Sequence, residues 1–150
     1  MNQKFIMPAH ARMLTLDQVP DYMFKQRLLG DGFALDLIDG EIVAPMDCTI
    51  TALFPTGHAI GLLLNDTVEI LIHIGIDTIR LKNKPIEIMI ELNQKIKQGQ
   101  TLVRVDLNKF REGNVPTIVS IIFTRNTLFS IKSNVSEVQC KEENIVQLYE

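Results

Sequence analysis

Apolar and polar positions along this chain fall into short runs of strand length. Ala59–Leu64 and Val68–Ile74 are the clearest, with the turn-forming pair Asn65-Asp66 between them. Similar apolar or alternating runs occupy 33–38, Glu41–Val43, 50–54, 86–90, Thr101–Val105, 117–123, 135–140 and 145–149. Asp39-Gly40, 45–47, 82–85 and Gln98-Gly99 punctuate them. Residues 5–16 read as a strand or extended segment, followed by a turn over 17–21. Asp21 is placed to cap a short helix over 22–28, and Gly30-Asp31-Gly32 ends it. A second short helix is expected over Leu107–Glu112, after Asp106. Many short strands at close spacing predict an all-β sandwich or barrel-like fold with one or two short helices.

The hairpin around Asn65-Asp66 carries two of the three histidines, His58 and His73. Side chains alternate along a strand, so His58, Ile60 and Leu62 share one face and Glu69, Leu71 and His73 share another. A two-residue loop pairs Leu64 with Thr67 and makes the histidines direct cross-strand neighbours, with Cβ atoms roughly 4.5–5.5 Å apart. A three-residue loop puts them on opposite faces, because a one-residue slip flips a strand. The plain reading of either ring is a buried histidine with a satisfied hydrogen bond. Two facing rings fit more. A metal site needs a third and fourth ligand, and an acid–base pair needs a substrate cleft. A phosphoryl-transfer site needs one nucleophilic ring nitrogen and donors for the phosphoryl oxygens. The second imidazole, the Thr56 hydroxyl and the backbone N–H groups around Gly75 and Asp77 are candidate donors.

The chain has 150 residues, 46% hydrophobic and 22% charged, which suits one globular domain over 1–150. A net charge of −3 leaves no basic face for nucleic acid. The two cysteines, Cys48 and Cys140, have no local base or charge partner and read as inert packing without a disulfide. No secretory signal is visible, and no stretch reaches the roughly 18–20 apolar residues of a membrane span. A cytoplasmic location follows as the expectation, with no membrane insertion, so any transport step belongs to a separate protein.

The segments Thr56-x-His58-Ala59-Ile60-Gly61 and Glu69-Ile70-Leu71-Ile72-His73-Ile74-Gly75-Ile76-Asp77-Thr78 resemble the active-site block of a known family. This is the glucose-family IIA domain of the bacterial phosphoenolpyruvate:sugar phosphotransferase system. Val19-Pro20-Asp21-x-x-Phe24, Leu29-Gly30-Asp31-Gly32, Ala44-Pro45-x-Asp47 and Lys97-x-Gly99-Gln100-x-Leu102 extend the resemblance over most of the chain. The resemblance implies an antiparallel β-sandwich of the duplicated hybrid motif type, with the histidines in a shallow depression. It implies that His73 accepts a phosphoryl group from the carrier protein HPr, that His58 stabilises the phosphohistidine, and that Thr56 hydrogen-bonds in the site. The acceptor is then a cysteine on a IIB domain of a separate sugar permease, and no cofactor or metal is needed. Phe24, Phe54 and Leu71 match the family's apolar ring around the site, and Asp21 and Asp77 match acidic positions of its partner-binding surface. Asp21 reads equally well as a helix cap, and Leu71 as core.

Two other functions compete. A regulatory module binding other proteins according to phosphorylation state uses the same surface. A zinc hydrolase on a related fold shares the His73-x-x-x-Asp77 spacing but needs a further His-x-His that this sequence lacks. Ala11, Cys48, Thr67, Asn83, Pro85, Asn93 and Lys141 stand where the family usually has turn glycines. Asn tolerates left-handed φ, whereas Cys48, Thr67, Pro85 and Lys141 imply locally different turns. His10 and the run 141–143 read as ordinary surface.

Overall fold

The computed structural model describes residues 3–76, 78, 81 and 84–149. All strand pairs among them are antiparallel. The largest sheet is built from Ala11–Leu14 (β1), Asp31–Leu37 (β2), Cys48–Leu53 (β4), Ala59–Leu64 (β5), Val68–Ile74 (β6), Lys95–Ile96 (β8), Ile118–Phe123 (β10) and Glu137–Val138 (β12). Its spatial order is β12-β1-β2-β10-β6-β5-β4-β8. Glu41–Val43 (β3), Thr101–Val105 (β9) and Ile86–Ile88 (β7) form a second sheet in the order β3-β9-β7. Leu128–Ile131 (β11) pairs with Val146–Tyr149 (β13). The all-β antiparallel expectation holds.

Alternation along β6 decides which side of the large sheet is interior. Val68, Ile70, Ile72 and Ile74 are buried, while Glu69, Leu71 and His73 between them are only half-buried. The buried set packs with Ile60, Leu62 and Leu64 of β5 and Val119, Ile121 and Phe123 of β10. Ile42, Ile86 and Val103 of the second sheet close the same core from the opposite side. Each such side chain contributes about 1.5–3 kcal/mol of burial. Burial also pushes the Cys48 thiol up to about 12, which suits inert packing.

The other face of the large sheet is covered separately. Leu16, Val19, Phe24, Ala34, Ile76 and Ile122 form a smaller buried cluster there. It is roofed by a 3-10 turn over Leu16–Gln18 and by the single helical turn Tyr22–Lys25 (α1). α1 is shorter than the predicted 22–28 because Arg27 adopts φ 56° and leaves the helical region. Arg27 is held in that shape by Asp17 (Nη1–Oδ1 2.8 Å) and by the Lys25 carbonyl (2.8 Å). The predicted helix Leu107–Glu112 (α2) is present, capped by the Asp106 side chain.

Three expectations change. The β5–β6 loop has three residues, and Leu64 pairs with Val68 rather than Thr67. Asn65 and Asp66 both take left-handed φ (47° and 62°), which closes a turn from Leu64 to Thr67, with Thr67 N–H donating to the Leu64 carbonyl (3.0 Å). Thr67 is then an extra residue before the ladder resumes. Second, Lys141 has φ 71°, so a lysine occupies the conformation a glycine favours instead of reshaping that turn. Third, β8 and β11 were not anticipated, because β8 has two residues and β11 is largely exposed without an alternating pattern.

Candidate functional site

His73 is the sixth residue of β6 and points away from the main core. In the ladders it lies opposite Ala59 of β5 and Ser120 of β10, not opposite His58. The predicted direct pairing of the two histidines is therefore incorrect, for the loop-length reason given above. The rings nevertheless meet, edge to face, with centroids 5.7 Å apart and an interplanar angle of 82°. His58 lies one residue before β5, so strand alternation does not dictate where it points. Gly57 before it turns the chain with φ 77°, and the His58 carbonyl accepts from Ile74 N–H (2.7 Å).

A loop over 54–58 orients the second ring. Gly57 N–H donates to the Phe54 carbonyl (2.8 Å), closing a turn. A Cβ at Gly57 would stand 2.9 Å from side-chain carbons of Ile86 and Ile88, so β7 packs directly against it. Thr56 Oγ1 is hydrogen-bonded to His58 Nδ1. That leaves Nε2 as the free nitrogen of the His58 ring. Phe54 packs edge-on against the same ring at 5.2 Å and remains 48% exposed. A cleft of about 920 Å³ opens beside His58, with Thr56, Thr78, Lys84, Pro85 and Glu87 in its walls.

Phe24 is 3% exposed and lies against His73, with centroids 4.8 Å apart. It belongs to the smaller core rather than to an exposed rim, because α1 folds down onto the sheet. Leu71 is half-buried and packs on the edge of that cluster. The exposed apolar surface nearby comes from Phe54 and from Tyr22 (69%) and Met23 (43%) of α1, two residues that the sequence reading passed over. Asp21 caps α1, accepting from Met23 N–H (2.9 Å), and its charge also favours a protonated His73. The helix-cap reading of Asp21 thus has a hydrogen bond behind it. Asp77 lies outside the described residues.

The His73 ring is held towards its neutral form. Burial lowers its pKa from the usual histidine value, and repulsion from His58 adds to this. Asp21 and the Gly75 backbone act in the opposite sense. The Gly75 backbone is the hydrogen-bonding group that faces the ring, and no side chain among the described residues completes a bond to the buried Nδ1. The neighbouring turn is tightly built. Gly75 has φ 77°, and a Cβ there would stand 2.6 Å from both Phe110 Cε2 and Thr78 Cγ2. The fully buried Phe110 of α2 thus props the turn that follows the histidine.

Chemically, the site offers a neutral imidazole with a second imidazole against it, a hydroxyl orienting that second ring, and a partly apolar surround. Ser120 was not singled out from the sequence. Its signal there is a lone hydroxyl in the apolar run Ile118–Phe123.

Comparison with known proteins identifies the family and the fold. A family model for the phosphoenolpyruvate-dependent sugar phosphotransferase system, EIIA 1, matches residues 3–129. The glucose-specific EIIA component of Staphylococcus epidermidis is 33% identical over 138 residues, which cover 92% of this chain and 82% of that protein. The glucosamine-specific EIICBA component of Bacillus subtilis is 37% identical over 131 residues, covering 87% of this chain. This chain spans about a fifth (21%) of that longer relative. The glucose permease IIA structure from Mycoplasma capricolum superposes with a TM-score of 0.85 at 37% identity, covering 97% of this chain and 96% of that one. With the matched family region spanning both histidines and the α1 roof, the chain belongs to the EIIA 1 family of the phosphoenolpyruvate-dependent sugar phosphotransferase system.

Proposed function

We propose that this chain is one phosphocarrier domain, which takes a phosphoryl group from phosphorylated HPr onto His73 Nε2 and delivers it to a cysteine of a IIB domain for sugar uptake. The observation that carries the reading is the edge-to-face histidine pair, with one ring held neutral by burial and the other oriented by Thr56. In the first step the Nε2 lone pair of His73 forms the N–P bond as the donor's bond to phosphorus breaks. In the second, a thiolate sulfur replaces that nitrogen on phosphorus. With the Thr56 hydroxyl donating to His58 Nδ1, His58 Nε2 carries a proton and donates to a phosphoryl oxygen. Phe54, Tyr22 and Met23 give each partner an apolar contact area, and Asp21 adds negative charge beside it. Leu71 and the buried Phe24 support this area from beneath, and Asp77 is proposed to add to its charge. The setting is the cytoplasm.

Intact mass after incubation with phosphoenolpyruvate, enzyme I and HPr tests this. One acid-labile phosphoryl group is expected on the unaltered protein and none on His73→Gln. His58→Gln is expected to gain the group and fail to pass it to a IIB domain. A protein that is phosphorylated but transfers to no IIB domain would instead support a regulatory module. No uptake by the unaltered protein would sink the carrier reading.

A further inference from the structure

The turn that follows His73 is braced from α2. Gly75 N–H donates to the Ile118 carbonyl (2.8 Å), so it is committed to β10. The Gly75 group left to face the His73 ring is its carbonyl, an acceptor, in agreement with its favouring the protonated ring. Gly75 holds φ 77°, and the space a side chain would take is filled by Phe110, whose Cε2 would lie 2.6 Å from a Cβ there. Phe110 is fully buried in the main core. Its helix is fixed at both ends. Asp106 N–H donates to the Pro85 carbonyl (2.8 Å), and Val115 N–H donates to the Phe110 carbonyl (2.9 Å). Gly113, just after the helix, leaves no room for a Cβ beside Leu81 Cδ2. The α2 region therefore touches the chain beyond His73 at two points, Gly75 and Leu81.

We infer that Phe110 is a positioning residue for His73 that acts through Gly75, its ring fixing the Gly75 peptide so that the carbonyl receives the Nδ1 proton and the lone pair of the imidazole stays on Nε2. The consequence for phosphoryl transfer rests on the phosphocarrier reading above, but the placing of the ring is independent of it. A neutral imidazole carries one proton, on either nitrogen. Only the Nδ1–H form leaves Nε2 free to attack phosphorus. Glycine has the widest backbone freedom of any residue, and nothing in its own side chain resists a rotation of the peptide that follows it. Such a rotation would carry the carbonyl away from the imidazole. An aromatic ring packed against the Gly75 backbone in a dense core removes that freedom, because the peptide has no void to turn into. A residue that merely fills the core would share the burial of Phe110 but not its hold on the ring.

The test is nitrogen NMR of the His73 ring in the whole chain, which reports the tautomer without any phosphoryl transfer. In the unaltered protein the Nδ1–H form is expected to dominate. In Phe110→Leu the tautomer ratio is expected to move towards Nε2–H by roughly twofold to tenfold, one ordinary hydrogen bond weakened or lost. Phe33→Leu is the control. Phe33 is equally buried, but it pairs with Ile121 and lies on the main-core face of the sheet, away from the imidazole. That variant is expected to lower Tm comparably and to leave the tautomer unchanged. Phe110→Met, which keeps more of the volume, gives the same reading should the leucine variant not fold. Uptake from phosphorylated HPr is expected to slow in the Phe110 variants and not in Phe33→Leu. An unchanged tautomer in a folded Phe110 variant, an equal shift in Phe33→Leu, or a dominant Nε2–H form in the unaltered protein would each overturn the inference. If the tautomer shifts as expected but no form takes up phosphate, the role of Phe110 stands and the carrier reading falls.

Discussion

His58 and His73 meet edge to face at 5.7 Å although they are not partners in the β5–β6 ladder. One ring is carried by the sheet, opposite Ala59. The other sits on a loop and is held by Thr56 and by its own carbonyl bond to Ile74 N–H. The loop-borne ring depends on its hydrogen bond more than the sheet-borne one does. Thr56→Val is therefore expected to leave the fold and phosphoryl uptake largely intact while slowing onward transfer about tenfold, the loss of roughly one hydrogen bond in the transition state. Single-turnover transfer to a IIB domain measures this. An unchanged rate would remove Thr56 from the machinery.

Asp21 both caps α1 and favours the protonated form of His73. The two effects separate by substitution. Asn caps as well as Asp, so Asp21→Asn is expected to keep stability within about 0.5 kcal/mol while moving the His73 titration to lower pH. Asp21→Ala is expected to show the same titration shift and to lose about 1 kcal/mol besides. Proton NMR titration and chemical denaturation of the pair provide both readings.

Stability is expected to fall on mild acidification, and His73 contributes to the fall. Its pKa in the folded protein lies below the unfolded value of about 6.5. Between those two values the unfolded chain binds more protons than the native one, so unfolding free energy rises with pH there. The contribution is fully present above the unfolded value and is lost as pH drops through the folded one. Urea denaturation from pH 7.5 down to 5 should show a shallower decline for His73→Gln than for the unaltered protein. Parallel declines would contradict the buried, neutral ring.

Gly75→Ala should be costly. The residue combines φ 77° with contacts that leave no room for a methyl beside Phe110 and Thr78. Left-handed strain alone costs about 1–3 kcal/mol. A Tm lowered by several degrees is expected, together with an altered His73 resonance, because the turn lies two residues beyond the ring.

Lys141 presents the opposite case. It holds φ 71° without the freedom of glycine. Relief of about 1–2 kcal/mol of left-handed strain is offset in part by the greater entropy glycine loses on folding. Lys141→Gly is expected to raise stability by up to about 1 kcal/mol, or roughly 2–4 °C in Tm for a chain of this size. A lowered Tm would show that the lysine makes compensating contacts.

Read alone, the residues specified the strands of the centre of the large sheet, because β6 alternates between buried and half-buried positions while β5 and β10 are near-continuous apolar runs of strand length. Two histidines flanking a turn marked the site, and the resemblance around them pointed to the family the comparisons support. What the linear pattern left open was register. Two left-handed residues at Asn65 and Asp66 added Thr67 to the loop, and the resulting slip removed the direct pairing of His58 with His73. Their approach was restored by Gly57 and Thr56, whose effect depends on how a loop closes rather than on any local propensity. Burial of Phe24 and the placing of Ser120 opposite His73 likewise came from segments far apart in the chain, α1 folding onto the sheet and β10 pairing with β6. Propensity and periodicity act between near neighbours, so they determined which elements form. Only the packing of distant strands decided which side chains share a site.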